Sequence, residues 1–550
     1  MQLIRILFFN LAVAFGALVP ATAPPPAAAS PLKQLSIVQD DHTLITDPAG
    51  TLATLRILGD QVVKVTVHWQ SIAPNPNSAK RPRGFHAASP AAYPRRNWAM
   101  YDQIVRDAHA DGIQVYFNLS GGAPAWAEGS RQPGRQNSHP GWEPSPGEFE
   151  AFVHAFGARY SGSYRPPGSS SPLPRVSFWA VWNEPNFGYS LSPQGVPGNV
   201  SVENSPRLYR GLIDAAWAGL QQTGHGRDTF LFGELGPIGG TSGSTWDEFQ
   251  AMAPLVFLRA LYCVDSRYRQ LRGYAAASRG CPTTAAGSRR FRGQNPVLFR
   301  ASGVADHLWM RWYPPNQLWA GPGSSVLSTV GQLVSALDRL QRAYGSGTRL
   351  PVYDTEFGYV TDPPNNSPLR QSGAPPTHYP SPTTAAYWLN WAEYMSWKNS
   401  RIGSFDNYLL RDPPPFSRSY EAWASGLLGW QQGVPKATYS AWRLPLYLPV
   451  TTARVGQSLE VWGCIRPAAY ALHDTGLAQT ADVQFAPAGS SSFTTVQQVT
   501  VSSTSNCYFD VRLSFTSSGT VRVAYTYPTS DRLLPAGYTA YSRPVAITLG

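Results

Sequence analysis

The sequence predicts a (β/α)8 barrel followed by a small antiparallel β-sandwich. Between residues 31 and 440, eight short apolar runs alternate with stretches of helical periodicity. Continuously apolar strands separated by helices are typical of a parallel sheet covered on both faces. Eight such units favour a closed barrel over an open sheet. No G-x-G-x-x-G turn supports a dinucleotide-binding sheet.

The eight strands and the helices between them follow from these runs. The predicted strands are Leu35–Gln39, Val62–Trp69, Ile113–Ser120, Val176–Glu184, Phe230–Glu234, Val304–His307, Leu350–Glu356 and Ile402–Leu410. Helices are predicted near residues 52–58, 101–110, 149–160, 205–220, 247–262, 326–340 and 385–397. The fourth of these has clear end signals, because Ser205-Pro206 suits its start and Gly224 its end.

The hydrophobic pattern changes after Tyr447. Apolar and polar residues then alternate with a period of two, as in Phe509, Val511, Leu513 and Phe515. With frequent Ser, Thr and Gly turns, this pattern predicts a β-sandwich with no helix. We therefore divide the chain into a catalytic barrel at 30–447 and an accessory domain at 448–550.

The N-terminus has the pattern of a secretory signal peptide over residues 1–29. Arg5 precedes an apolar run, Ile6 to Val19, and then the small-residue stretch "PATAPPPAAAS". Cleavage after Ala29 is expected. The alternative is a membrane anchor, but the run is short for a bilayer span. The expectation is a secreted protein with no membrane association after cleavage.

Four cysteines fit an oxidising compartment. Three pairings are open from the sequence, and we favour Cys263 with Cys281 and Cys464 with Cys507, since each pair lies within one predicted domain. No metal site is predicted, because the sequence has neither a C-x-x-C nor clustered histidines.

The net charge of +11 comes mostly from arginine. It could favour an acidic polymer or an anionic surface, but a solvated arginine-rich surface is the simpler interpretation. No basic run with interleaved aromatic residues indicates nucleic-acid binding.

Two glutamates end predicted barrel strands, where reactive residues of such barrels lie. Glu184 ends the fourth strand within "FWAVWNEPN", and Glu356 ends the seventh. Glutamate is costly to bury unpaired, so both are expected to face a cleft. Two carboxylates across one cleft suit glycosidic bond cleavage, where one donates a proton and the other attacks the sugar. The rivals of Glu356 are Glu234, more probably a supporting acid or a substrate contact, and Asp354.

The motifs "WNEPN" on the fourth strand and "DTEFG" on the seventh resemble those of clan A retaining glycoside hydrolases, especially families 5 and 39. The resemblance spans the barrel and carries the common label "cellulase-like". It implies that Glu184 is the acid/base, that Glu356 is the nucleophile and that Asn183 bonds the sugar 2-hydroxyl. It also implies that His307 lines the cleft.

The same resemblance suggests further correspondences with family 5. Lys64 occupies the place of an arginine that steadies the nucleophile, although lysine lacks the bidentate fork. Asn118 stands where a histidine is frequent. Tyr313 is the candidate partner of the nucleophile, and Asn407 and Tyr408 replace a tryptophan on the eighth strand.

Several other residues near strand ends are candidates for sugar contacts. Trp69 and Trp126 could stack on sugar rings, but a place in the core is an equal alternative. Asp40 and Asp41, after the first strand, could bind sugar hydroxyls.

The sequence therefore predicts a secreted retaining glycoside hydrolase that cleaves O-glycosidic bonds of a polysaccharide or oligosaccharide by double displacement, with its two carboxylates about 5 Å apart. No metal or organic cofactor is predicted. The enzymatic alternatives on this scaffold are an arabinofuranosidase, a xylosidase or a β-galactofuranosidase. The other alternative is a non-catalytic, wall-associated carbohydrate-binding protein.

Overall fold

The computed structural model describes residues 33–130, 141–241, 250–361, 379–414, 423–430 and 434–550. The predicted signal peptide, residues 1–29, lies outside these ranges. None of the helices in the described part of the chain has both the length and the apolarity needed to cross a bilayer.

Eight parallel strands close into a barrel, which confirms the predicted fold class. Going round the barrel, each strand pairs with its neighbours in sequence, and the eighth pairs with the first. In chain order the strands are Leu35–Gln39, Val62–His68, Gln114–Ser120, Phe178–Val181, Thr229–Leu235, Gly303–Asp306, Val352–Asp354 and Ile402–Tyr408.

Five of these strands are shorter than predicted at their carboxyl ends, and the second and eighth strands of the barrel end at His68 and Tyr408. The fourth ends at Val181, because Trp182 takes a positive φ of 63° that breaks the extended backbone. The sixth and seventh end at Asp306 and Asp354. The candidate residues Glu184, His307 and Glu356 therefore lie just beyond their strands, at one end of the barrel.

Helices surround the barrel. Among the described residues up to 443, the α-helices are Asp41–Thr46, Pro48–Leu58, Trp69–Ile72, Arg95–Ala110, Pro146–Arg159, Ser205–Gln222, Pro254–Leu261, Gly273–Ala277, Ala285–Gln294, Val297–Arg300, Val330–Ala343, Pro382–Lys398 and Ala437–Arg443. Short 3-10 turns lie at Pro90–Ala92, Ala125–Ala127 and Leu327–Thr329, and a two-stranded ribbon lies at Gly195–Val196 and Asn199–Glu203. The helix predicted at 247–262 begins only at Pro254, since proline suits a first helical turn and disrupts a helix interior.

The barrel interior changes from apolar to polar along the strands. Alternate residues of a strand face inward, so Val62 and Lys64 share one side of the second strand, and Ala305 and His307 are related in the same way at the sixth. The lower interior is an apolar cluster of Ile37, Val62, Tyr116, Phe178, Ala180, Leu231 and Ala305. The polar layer above it, toward the carboxyl ends, contains the candidate site.

The C-terminal region forms a β-sandwich. One sheet contains Leu446–Tyr447, Ser458–Cys464 and Tyr508–Ser514, and the other contains Thr452–Ala453, Gln479–Pro487, Thr494–Val501, Gly519–Thr526, Thr539–Tyr541 and Val545–Leu549. Residues from both sheets share one apolar core. The prediction of no helix is wrong, because Ala468–Thr475, an alanine-rich segment closed by Gly476 at φ 68°, is helical. One strand pair, Thr452–Ala453 with Thr548–Leu549, is parallel.

The sandwich packs against the end of the barrel opposite the candidate site. Gly59 precedes the second strand, and a Cβ there would lie 2.2 Å from the backbone carbon of Arg466. Arg466, 1% exposed, forms an ion pair with Glu393 of the barrel, and Tyr508 donates a hydrogen bond to the same carboxylate at 2.8 Å. Tyr527 donates to the backbone oxygen of Ile57. The accessory domain therefore braces the floor of the barrel.

Both favoured disulfides are present. Cys263 is bonded to Cys281, and Cys464 to Cys507. The second links two neighbouring strands of one sheet of the sandwich.

Candidate active site

Glu184 is held at the cleft by an irregular turn after the fourth strand. Its φ of 45° lies in the left-handed region, which a glutamate adopts only under tertiary constraint. The constraint is visible, because the Glu184 N–H donates to the backbone oxygen of Glu234 at 2.8 Å and the indole of Trp182 donates to Ser190 O at 3.0 Å.

Asn186, the second asparagine of "NEPN", is structural. Its amide donates to the backbone oxygens of Gly236 and Met252 at 3.0 and 2.9 Å, and its oxygen accepts the Gly236 N–H at 2.8 Å. Asn186 is fully buried. It ties the turn that carries Glu184 to the segment after the fifth strand.

Glu356 faces the same cleft from the seventh strand. Its Oε1 lies 3.2 Å from Nζ of Lys64, and its Oε2 lies 3.5 Å from Nδ1 of His307. The next residue, Phe357, donates its N–H to Asp406 at 3.2 Å, which fixes the backbone at this point.

The two carboxylates are close together. A carboxylate oxygen of Glu184, one of Glu356 and a ring nitrogen of His307 all lie within 4.8 Å of one another. Retaining glycosidases hold their two carboxyl groups about 5–5.5 Å apart, whereas inverting enzymes leave about 6.5–9.5 Å for a water. The limit of 4.8 Å joins one oxygen of each carboxyl group, and it shows that the two groups share one cleft.

Glu234 lies beneath this pair and is fully buried. The pairing of the fifth strand with the sixth shifts by one residue between Gly233 and Leu235, and Glu234 has a φ of 47°. Such a bulge re-aims a side chain, here into the barrel interior. Its Oε2 lies 2.6 Å from Nζ of Lys64, and its Oε1 accepts the hydroxyl of Tyr116. Glu234 is thus a supporting acid, and the alternative of a substrate contact does not fit its burial.

His307 links the supporting acid to the cleft. Its Nδ1 lies 3.0 Å from Oε1 of Glu184, and its Nε2 lies 2.9 Å from Oε2 of Glu234. Burial lowers the pKa of His307, but the charge of Glu356 and the hydrogen bonds to Glu184 and Glu234 outweigh it and raise the pKa to about 10. His307 is therefore an imidazolium that donates through both ring nitrogens.

The carboxyl groups respond to this environment in opposite directions. Burial alone would raise the pKa of Glu234, but Lys64 and His307 lower it to about 2. Burial raises the pKa of Glu356; His307 and Lys64 oppose this, and Glu184 adds to it.

Glu184, His307 and Glu356 are spaced as metal ligands could be. A histidine ligand must be neutral, however, because a protonated ring nitrogen has no lone pair to give. With its raised pKa and both nitrogens on carboxylates, His307 does not fit that role.

Asp354, the rival of Glu356, does not reach the cleft. It is fully buried, its Oδ1 accepts the N–H of Leu308 at 3.3 Å, and burial raises its pKa well above the usual value. It is a neutral brace between the sixth and seventh strands.

Asn183 and Tyr189 flank Glu184 at the cleft. The backbone of Asn183 is fixed by the hydroxyls of Ser120 and Ser190, and its Oδ1 has no partner among the described residues. That oxygen is buried as well as unpaired, although Asn183 lines a cavity at the cleft. Tyr189 donates a hydrogen bond from its hydroxyl to Glu184. The residue as a whole is 56% exposed. Tyr189 was not predicted, since it lies in a loop without periodicity.

Tyr408 lies beside Glu356, and its N–H donates to Phe357 O at 2.7 Å. Its ring packs against Trp309 and Trp423. Tyr313 does not match its predicted role, because its ring stacks on Trp319 and its hydroxyl has no contact with Glu356 in the described part of the chain.

Of the two alternatives for Trp69, the structure supports a place in the core over a sugar platform. The side chain is fully buried and packs on Phe149 and Phe152. Trp126 is half-buried, with its indole N–H on Pro74 O at 3.1 Å. Asn118 is fully buried in the barrel, so it does not face substrate.

The two aspartates after the first strand have structural partners. Asp40 accepts N–H bonds from Thr43 and Arg411 at 3.0 Å each, and Asp41 accepts from Thr66 N at 2.9 Å. Both also line a cavity beside Tyr408.

The fold defines the chain as a (β/α)8 barrel protein with a β-sandwich accessory domain, and its mouth holds a paired-carboxylate site. No protein-family model matches the chain, and no curated protein matches it either. Among solved structures, it is similar to a family 39 glycoside hydrolase from Bacteroides cellulosilyticus, at 15% identity and a TM-score of 0.46, over 94% of this chain and 79% of that one.

The chain is also similar to a glucosidase from Croceicoccus marinus, at 12% identity and a TM-score of 0.44, over 96% of each chain. A third similar structure is a family 1 β-glucosidase from Thermotoga maritima, at 14% identity and a TM-score of 0.42, over 72% of this chain and 84% of that one. At these identities and TM-scores, the similarity does not identify the substrate of this chain.

Proposed function

We propose that the protein is a retaining glycoside hydrolase that cleaves O-glycosidic bonds of an oligosaccharide or polysaccharide. The observation that carries this proposal is the approach of Glu184 and Glu356 to within 4.8 Å, at the carboxyl ends of the fourth and seventh barrel strands.

In the first step, Glu356 attacks the anomeric carbon while Glu184 gives its proton to the leaving oxygen. The bond to the leaving group breaks as the ester to Glu356 forms. Lys64 and His307 favour the ionised form of Glu356, because both cations contact its carboxylate. Glu234 holds these two cations in place.

In the second step, Glu184 takes a proton from water, which attacks the anomeric carbon and releases Glu356. Asn183 bonds a sugar hydroxyl, a role supported by its position next to Glu184 on the wall of a cavity. Tyr189 and His307 hold the Glu184 carboxyl at the point where it meets both the leaving group and the water.

The test determines the stereochemistry of the product and identifies the residue that bonds to the sugar. Wild-type enzyme is screened on 4-nitrophenyl β-D-glucoside, β-D-galactoside, β-D-xyloside, β-D-galactofuranoside and α-L-arabinofuranoside, which also separates the alternative sugars. Proton NMR of the first product should show the anomer of the substrate. The matching 2-deoxy-2-fluoro sugar should label Glu356 in a peptide digest. An inverted anomer, or a label on another carboxylate, would overturn the proposal.

We also propose that the mature chain is secreted after removal of residues 1–29, and that it comprises a catalytic barrel to residue 447 and an accessory domain at 448–550. The two disulfides support an oxidising compartment. N-terminal sequencing of the protein recovered from culture medium would test the cleavage site.

A further inference from the structure

Two cavities adjoin the catalytic pair, one beside each carboxylate. The acid-side cavity has a volume of about 630 Å³ and lies at the ends of the second, third and fourth strands. The nucleophile-side cavity has about 620 Å³ and lies at the ends of the first and eighth strands. Each has the volume of an ordinary small-molecule site.

The acid-side cavity meets the catalytic pair at Glu184. Asn183 and Tyr189 form this part of its wall, and the Tyr189 hydroxyl bonds Glu184. Further out, the wall offers His68, Gln70 and Asn77. Nδ1 of His68 lies 2.9 Å from Gly121 O, and its other ring nitrogen has no partner among the described residues. These groups suit sugar hydroxyls.

The nucleophile-side cavity meets the pair at Tyr408, whose backbone is bonded to the residue after Glu356. Its wall includes the ring of Trp423, which packs on Tyr408, and that of Trp430, which is 44% exposed. An exposed indole is costly to leave in water, and its flat face complements the C–H face of a sugar. The carboxylate of Asp41 lies on the same wall.

The strand order makes the two cavities neighbours. Going round the rim from Glu184, the strands run four, three, two, one, eight and seven, ending at Glu356. The acid-side cavity takes the first part of this arc and the nucleophile-side cavity the second. Glu184 and Glu356 approach each other across the mouth, so a chain that runs from one cavity to the other over the mouth would pass both carboxylates.

We call the two cavities together the groove. The reaction chemistry decides which part of the substrate lies in each cavity. A leaving group must lie beside the acid that protonates it, so the acid-side cavity takes the released sugars. The remaining sugars of the glycone then extend past Glu356 into the nucleophile-side cavity. We infer that the substrate is a saccharide chain with sugar units in both cavities, cut at an internal bond; this inference rests on the function proposed above.

The first test varies the glycone. For whichever sugar the panel identifies, kcat/KM is measured on the 4-nitrophenyl monoside and on the corresponding trioside. The trioside should be the better substrate of the wild type. Trp430→Ala should lower kcat/KM about tenfold on the trioside and less than about twofold on the monoside. Tyr274→Ala, at a side chain 78% exposed and far from the cleft, is the matched control and should change neither.

The second test varies the leaving group. Gln70→Ala should slow a reducing-end-labelled oligosaccharide, whose leaving group is itself a sugar chain, by a larger factor than the aryl trioside of the same sugar. The labelled products of the wild type should include fragments longer than a monosaccharide.

The outcomes separate the two proposals. If aryl monosides are hydrolysed but chain length brings no gain, or if labelled chains lose only terminal monosaccharides, the groove inference is wrong and the glycosidase proposal stands. An equal effect of Trp430→Ala on monoside and trioside also overturns the groove inference. If no glycoside is hydrolysed, the glycosidase proposal fails and the groove inference fails with it.

Discussion

Nδ1 of His307 lies 3.0 Å from Oε1 of Glu184. This contact joins the proposed acid/base to a set of charges that water does not reach, because His307 is fully buried. The other ring nitrogen is bonded to Glu234, so His307 connects the fully buried Glu234 to Glu184 at the cleft. The first two predictions concern Glu184 and Glu356, and the others concern what supports them.

Glu356→Gln should lower kcat by at least about 10⁴-fold, because the amide cannot attack the anomeric carbon. The fold should be retained, since the amide has the size of the carboxyl, and circular dichroism and thermal melting check this. Glu150→Gln, on the surface helix Pro146–Arg159, is the matched control. Activity of Glu356→Gln near that of the control would refute the nucleophile.

Glu184→Ala should slow substrates with poor leaving groups about 10²–10⁴-fold, because these need the proton. Activated aryl glycosides should lose much less in the first step. A series of aryl glycosides with different phenol pKa values measures this dependence. Azide should restore turnover and give the glycosyl azide of retained configuration. A loss independent of the leaving group would contradict the acid role.

Lys64→Met should destabilise the fold by about 3–5 kcal/mol, because it leaves Glu234 charged and buried without its closest cation. Urea unfolding measures the change. Arg512→Met removes an ion pair with Glu460 in which the arginine side chain is 66% exposed, and it should cost less than about 1 kcal/mol. Similar decreases in unfolding free energy in both variants would mean that the buried ion pair contributes no more to stability than the exposed one.

The charge on His307 makes stability depend on pH. Its pKa is raised to about 10 in the folded protein, against 6.5 as the ordinary value. Its contribution is therefore fully present below pH 6.5 and is lost as the pH rises toward 10, with a slope approaching about 1.4 kcal/mol per pH unit. The difference in unfolding free energy between wild type and His307→Gln, measured from pH 6 to 10, should shrink with this slope as the pH rises. Parallel curves would show that His307 is neutral.

Gly59→Ala should destabilise the contact between the two domains. Gly59 has a φ of 90°, and an added Cβ would collide with the backbone of Arg466. Gly84 has a φ of 69° with open space around it, so Gly84→Ala carries only the conformational cost of about 1 kcal/mol. The Gly59 variant should lose at least about 1–3 kcal/mol more. Equal melting temperatures would contradict the close packing.

The barrel and its two strand-end glutamates could be predicted because both follow from periodicity. In a parallel barrel the carboxyl ends of all strands meet at one rim, so residues that end two strands are expected to be neighbours. One oxygen of Glu184 lies within 4.8 Å of one oxygen of Glu356, so the two strand ends meet at one cleft. Lys64 was named through the resemblance to family 5, and it shares the inward side of its strand with Val62.

The sequence left two alternatives open for Trp69. His68 ends the second strand and lines the acid-side cavity, whereas Trp69 begins the short helix Trp69–Ile72 and is buried in the core. Glu234 was predicted as a supporting acid because it ends a predicted strand, but the one-residue bulge that turns it inward leaves no repeating pattern in the sequence. Tyr189 lies in an irregular loop and was not predicted.

The accessory domain meets the barrel at the floor, through Arg466, Glu393 and Gly59, while the paired carboxylates and both cavities lie at the mouth. The contacts that stabilise the two domains and the residues that would select the substrate therefore lie at opposite ends of the barrel. Loops at the mouth could be exchanged to accept other glycans without disturbing the contact between the barrel and the sandwich.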